Sequence, residues 1–127
     1  MQRNNPMHAR VLVADDDLDL LQIVVASLVQ SGADVVSATT GADLLEHLAD
    51  DGPFDLIITD VVMPWMTGFQ VAHSVREAGL DVPVIIMTGR DDPNLADRVR
   101  ALGGRAALLR KPFDAEALDA AVTALLA

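Results

Sequence analysis

A chain of 127 residues, half of them apolar and with a formal net charge of −10, is long enough for one domain with a real core and too apolar for disorder. Its acidity excludes a surface built for nucleic acid, which needs a basic patch, and one built for anionic lipid. With no cysteine there are no disulfides and no thiolate metal sites, which suits a reducing cytoplasm.

Residues 1–8 read as a flexible tail without the apolar stretch of a secretory signal, leaving 9–127 as a single domain. The longest uncharged apolar segment, Leu20 to Ala33, falls short of the roughly 20 residues a bilayer span takes. It is also broken by Gln22, Ser27 and Gln30, so the chain reads as soluble, with no membrane segment. Strand and helix patterns then alternate five times with short joins, the signature of a parallel sheet built from βα units. Val11-Leu12-Val13-Ala14 forms the first strand and ends at Asp15-Asp16-Asp17. The first helix is predicted from Leu18 to Ser31, with Leu18, Leu21, Val25 and Leu28 facing inward and Gly32 as its stop. A weaker strand covers 33–38, and Thr40 caps a second helix reaching Asp50.

Asp51-Gly52-Pro53 turns the chain into the third strand, where Leu56-Ile57-Ile58-Thr59 ends at Asp60. Residues 67–78 read as helix, with Phe69, Ala72, Val75 and Arg76 at partial 3.6-residue spacing and Gly79 closing it. The fourth strand is 83–88. The fourth helix, Pro93 to Leu102, starts on a proline tolerated in a first turn and can bury only Leu95, Val99 and Leu102. A short fifth strand at 105–110 precedes Asp114, which caps a last helix with Ala117, Leu118, Ala121, Val122 and Leu125 inward. Strands three and four are apolar at nearly every position, as in strands covered on both faces. Right-handed crossovers make a doubly wound sheet the leading architecture, while pattern alone leaves the strand order open.

Four strands thus end in a reactive polar group: Asp15 and Asp16, Asp60, Thr88, and Lys111, the single lysine of the chain. In an open parallel sheet such ends gather in one crevice where ligands bind. Three acids brought together raise one another's pKa unless a cation intervenes. A hard divalent ion with oxygen ligands fits them, and magnesium is the expected occupant. Capping explains Asp17 well, but not Asp60, whose followers Val61-Val62-Met63-Pro64 start no helix. The ammonium of Lys111 can pair with Asp60 in the empty site and move to a phosphoryl oxygen, Thr88 can donate to another oxygen, and Gly89 leaves room for a tetrahedral group. His8, His47 and His73 show no metal spacing and read as solvated surface.

With these motifs in view, the chain resembles the receiver domain of two-component response regulators from residue 10 to about 126. The resemblance rests on Val11-Leu12-Val13-Ala14-Asp15-Asp16-Asp17, on Asp60-Val61-Val62-Met63-Pro64 with Gly68, on Met87-Thr88-Gly89 and on Lys111-Pro112-Phe113. It implies a flavodoxin-like three-layer sandwich with a five-stranded sheet in the order 2-1-3-4-5. It further implies that Asp60 accepts a phosphoryl group from a phosphohistidine on a sensor histidine kinase or a histidine phosphotransfer protein. Asp15, Asp16, Asp60 and the backbone carbonyl of Val62 would hold Mg2+, Thr88 and Lys111 would bind the phosphoryl oxygens, and the Lys111-Pro112 peptide would be cis. Such a domain is a cytoplasmic phosphorylation switch that catalyses its own loading and clearing rather than a turnover enzyme. Its output is a protein contact, a homodimer through the helix 4–strand 5–helix 5 face among them.

The sequence departs from that family at a few positions. Leu108 stands where an aromatic usually sits three residues before the lysine, which predicts a smaller or differently located response on the helix 4–strand 5–helix 5 face. Thr67 replaces the usual acid before Gly68, Trp65 is expected to be exposed, and Arg90 lies at the mouth of the site. An aspartyl-phosphate phosphatase would need an acid where Val62 stands. A flavin module would need a phosphate loop where three aspartates would repel the phosphate. A receiver-like scaffold acting only by protein binding is the remaining alternative, and such scaffolds usually lack a site residue that is present here.

Overall fold

The computed structural model describes residues 8–126. The expected N-terminal tail, His8 apart, lies outside them. Ten elements alternate along the chain: β1 (Arg10–Ala14), α1 (Leu18–Gln30), β2 (Asp34–Ala38), α2 (Gly41–Asp51), β3 (Leu56–Asp60), α3 (Gly68–Glu77), β4 (Val84–Thr88), α4 (Asn94–Ala101), β5 (Ala106–Arg110) and α5 (Ala115–Leu126). The strands form one parallel sheet in the order β2-β1-β3-β4-β5, as the resemblance implied. No helix among the described residues is long and apolar enough to cross a membrane.

Strand alternation sends successive side chains to opposite faces, and both faces of this sheet are covered. Leu12, Ala14, Ile57 and Ile86 pack with Leu44 of α2, Phe69 of α3 and Leu95 of α4. Val11, Val13, Leu56, Ile58, Ile85 and Met87 pack with Leu21, Val24 and Leu28 of α1 and Leu118 and Val122 of α5. That two-sided burial accounts for the unbroken apolar runs of β3 and β4.

The helix ends follow local chemistry. The Asp17 carboxylate accepts from the backbone N–H groups of Asp19 and Leu20 at the start of α1. Thr40 and Asp114 cap α2 and α5 in the same way. Gly32 and Gly79 leave α1 and α3 with φ of 94° and 81°, a conformation that penalises any Cβ.

Three positions depart from the helical stripes expected from sequence. Leu18 is 58% exposed, and the inward residues of α1 are Leu21, Val24 and Leu28. At 3.6 residues per turn, Leu18 points about 90° away from the centre of that stripe, and it lies in the first turn, where β1 has already ended. Ala117 is exposed as well, because it sits about 100° round the helix from Leu118. The fourth helix begins at Asn94 rather than Pro93, whose neighbour Asp92 accepts from the Asn94 N–H. Arg76, read as part of the apolar stripe of α3, has a different task. Its guanidinium donates to the carbonyls of Leu80 (3.2 Å), Val82 (2.7 Å), Gly103 (3.1 Å) and Arg105 (3.4 Å). It thereby ties the loop after α3 to the loop after α4.

Candidate functional site

The register of the sheet decides which side chains meet. Ala14 is opposite Thr59, Asp60 opposite Met87, and Thr88 opposite Arg110. One residue beyond Ala14 on β1 is Asp15, and one beyond Arg110 on β5 is Lys111, so both project over the carboxyl end of the sheet beside Asp60. The Lys111 Nζ lies 3.0 Å from Asp15 Oδ2 and 3.2 Å from Asp60 Oδ1. Carboxylate oxygens of Asp15, Asp16 and Asp60 lie within 4.8 Å of one another. Asp15, Asp60 and Thr88 are buried, while Asp16 is exposed.

The surrounding backbone fixes this arrangement. The Asp17 N–H donates to Asp15 Oδ1 at 2.9 Å and orients that carboxylate. The Lys111 N–H donates to the Thr88 carbonyl at 2.7 Å, which joins the ends of β4 and β5. The Lys111–Pro112 peptide is cis, as the resemblance implied, and so is Gly52–Pro53. The Thr88 hydroxyl accepts from the Arg90 N–H at 3.0 Å, so its own proton remains free to be donated. A Cβ on Gly89 would meet nothing within 4 Å, which leaves open space beside Thr88.

The loop after β3 is folded tightly against Asp60. Val61 N–H donates to the Met87 carbonyl and Gly68 N–H to the Val61 carbonyl, both at 2.9 Å. A Cβ at Gly68 would lie 2.4 Å from the Asp60 carbonyl oxygen, so only glycine lets α3 begin that close to β3. Thr67, where the family has an acid, closes a reciprocal cap: its hydroxyl accepts from Gln70 N–H, and Gln70 Oε1 accepts from Thr67 N–H. Val62 is half exposed, and Trp65 is 93% exposed with a φ of 73°. Leu108 is partly buried against the core on the α2–α4 side.

Electrostatics mark the same place. Burial pushes the Asp60 carboxyl above its ordinary value and the Asp15 charge adds to this; together they outweigh the pull of Lys111 in the other direction. Burial works against the charge of Lys111, but the hydrogen bond to Asp15 and the charges of Asp60 and Asp15 prevail, and its pKa is raised. One ammonium facing three carboxylates leaves an excess of negative charge. Hard oxygen donors at this spacing with uncompensated repulsion fit a divalent cation such as magnesium.

Of the side chains expected in the site, Asp15, Asp16, Asp60 and Lys111 are thus brought together, and Thr88 ends β4, the strand between β3 and β5. Thr59 was passed over, because it read as one more residue of a buried strand. Its hydroxyl donates towards the Asp60 carbonyl at 3.2 Å and lies 3.7 Å from Met63 Sδ. A hydroxyl in an otherwise aliphatic run was the available signal.

The comparisons agree with the geometry. Residues 11–123 match the family model of the response regulator receiver domain. Over 121 residues the chain is 38% identical to the response regulator MprA of Mycobacterium ulcerans, covering 94% of this chain and 51% of that protein. The MprA of Mycobacterium tuberculosis is 37% identical over the same length and coverage. The chain spans about half the length of these curated relatives. Among solved structures, the chemotaxis response regulator CheY4 of Vibrio cholerae superposes with a TM-score of 0.83 at 32% identity, over 93% of this chain and 98% of that one. The receiver domain of the putative response regulator NarL from Mycobacterium tuberculosis gives 0.83 at 31%, over 95% and 98%. A sheet whose strand ends carry this acidic pocket, and a sequence that matches over nearly its whole length, lead to one conclusion: the chain belongs to the response regulator receiver domains of two-component systems.

Proposed function

We propose that Asp60 is the phosphoacceptor, taking a phosphoryl group from the phosphohistidine of a sensor kinase or histidine phosphotransfer protein. The observation that carries this reading is the Lys111 ammonium, held 3.0 Å from Asp15 and 3.2 Å from Asp60 at the edge of a three-carboxylate cluster. An Asp60 oxygen attacks phosphorus as the P–N bond to the donor imidazole breaks, and the imidazole leaves with that electron pair. The product is an acyl phosphate on Asp60. In clearing, water attacks phosphorus, the P–O bond to Asp60 breaks, and the carboxylate and inorganic phosphate are released.

Phosphoryl transfer passes through a loose transition state, so positioning and charge neutralisation supply most of the catalysis. Lys111 exchanges its contact with Asp60 for one with a phosphoryl oxygen. Thr88 donates its hydroxyl proton to a second oxygen while it keeps the Arg90 N–H on a lone pair, and the space beside Gly89 admits the tetrahedral group. Asp15, Asp16, Asp60 and the Val62 carbonyl would hold magnesium, which when bound supplies further neutralisation of the phosphoryl charge.

A protein donor meets apolar surface at Leu18, Val62 and Trp65, which border the pocket in sequence and are exposed. The domain works in the cytoplasm as a switch, loading and clearing itself and passing the signal on through protein contacts. Mass spectrometry after incubation with acetyl phosphate and magnesium tests this reading. The expected result is a gain of one phosphoryl group in the wild type and none in Asp60→Ala. A wild type that gains nothing, or an Asp60→Ala protein that gains as much, overturns it.

A further inference from the structure

We infer that Thr59 is a positioning residue for the metal and phosphoryl site, acting through the main chain of Asp60. This rests on the reading that Asp15, Asp16 and Asp60 take a divalent ion. Thr59 is fully buried, on the face of β3 that packs towards α3. Among the largely aliphatic side chains there it carries a hydroxyl, and buried hydroxyls need a partner. That hydroxyl donates towards the Asp60 carbonyl and borders Met63 Sδ, so it ties the last residue of β3 to the middle of the loop that follows.

The surroundings make this contact hard to replace. Gly68 packs so closely over the Asp60 carbonyl that a Cβ there would come within 2.4 Å, and the Thr59 methyl would lie 3.3 Å from the same Cβ. Interior packing this dense leaves little room for a substituting water. Without the hydroxyl, the Asp60 carbonyl loses this donor, and the Asp60–Val61 peptide is less firmly held against tilting. That peptide sets the aim of the Asp60 carboxylate and the course of the chain into Val62, whose carbonyl belongs to the proposed ligand set. A small tilt therefore separates two ligands that must face one ion, and magnesium tolerates little departure from octahedral geometry.

Titration of the 15N-labelled protein with magnesium chloride, followed by NMR amide shifts, tests the inference in the wild type, Thr59→Val and Thr59→Ser. Valine keeps the shape and suits a strand, so the fold is retained while the hydroxyl goes; serine keeps the hydroxyl and drops the methyl. Thr59→Val is expected to bind magnesium about fivefold more weakly, the order of one lost neutral hydrogen bond, with the altered shifts centred on 61–63. Thr59→Ser is expected to keep the wild-type affinity even if its melting temperature falls. Equal affinity in Thr59→Val and wild type overturns the proposal. So does a Thr59→Ser protein as weak as Thr59→Val, which would assign the effect to packing. A wild type without saturable shifts instead defeats the underlying metal reading, before any variant is compared.

Discussion

Replacing Lys111 with methionine removes the positive charge from the pocket while keeping a side chain of similar length. Two contacts go with it, at 3.0 Å to Asp15 and 3.2 Å to Asp60. With an effective dielectric constant of about 20, each is worth roughly 5 kcal/mol of gross attraction. Most of this is offset by the desolvation of the ammonium, which the wild type must bear and the variant does not. Removing one partner of a buried pair costs about 3–5 kcal/mol. The Lys111 side chain is 20% exposed, so a loss of about 2–4 kcal/mol is expected. The sign of its pH dependence follows from Asp60. Its carboxyl is already raised above the ordinary 3.8 and rises further without the ammonium, so it takes up a proton as the pH falls. The deficit is therefore largest near neutral pH and shrinks as the pH drops through the Asp60 value. Urea unfolding followed by circular dichroism in EDTA, at about pH 8 and about pH 4, measures both. Magnesium should restore more stability to the variant than it adds to the wild type. Equal stability of the two proteins at neutral pH, or a deficit independent of pH, would refute the idea that Lys111 neutralises the pocket.

Three further outcomes are expected. Because the folded pKa of Asp60 is raised, the folded state holds its proton more tightly, and stability falls as the pH climbs from 3.8 through the raised value. Asp60→Asn in EDTA should thus be more stable than wild type at neutral pH and converge with it in acid; a destabilised variant at neutral pH contradicts this. Trp65→Gly relieves a left-handed backbone costing about 1–2 kcal/mol against a glycine entropy cost of about 0.5–1 kcal/mol. Its melting temperature should rise by a few degrees with acetyl phosphate labelling intact, and a lower melting temperature would speak against strain at φ 73°. His47 is raised above 6.5 mainly by its 2.6 Å hydrogen bond with Asp51, burial opposing and Asp43, Asp51 and Glu46 assisting. Its contribution is complete below 6.5 and lost as the pH rises through the folded value. His47→Gln should therefore be less stable than wild type in mild acid and equal to it in mild alkali; a gap that does not change with pH would count against it.

The crevice was legible in the sequence because parallel strands deliver their last residues to one edge, and each of four strands ended in a polar group. The apolar runs of β3 and β4 announced two covered faces. Leu18 and Ala117 were misread because a helical stripe is an angular range, and one-residue shifts turn a side chain by about 100°. Thr67 looked like a departure from the family, yet Thr67-Gly68-Phe69-Gln70 carries the spacing of a reciprocal cap. The tie that Arg76 makes could not be read from its place in a helical stripe. Its partners lie up to 29 residues away and are carbonyl groups, which every residue type carries and no sequence pattern reveals.

The Arg76 contacts give the molecule a fixed pivot. The carbonyls it holds at Gly103 and Arg105 follow α4 directly, so the trailing end of that helix is moored to α3. Its leading end begins at Asn94, where the exposed Asp92 carboxylate accepts the first N–H, a few residues beyond Thr88. A pull exerted at Thr88 then acts like force on the far end of a lever, and displacement should fade along α4 from Asn94 towards Leu102.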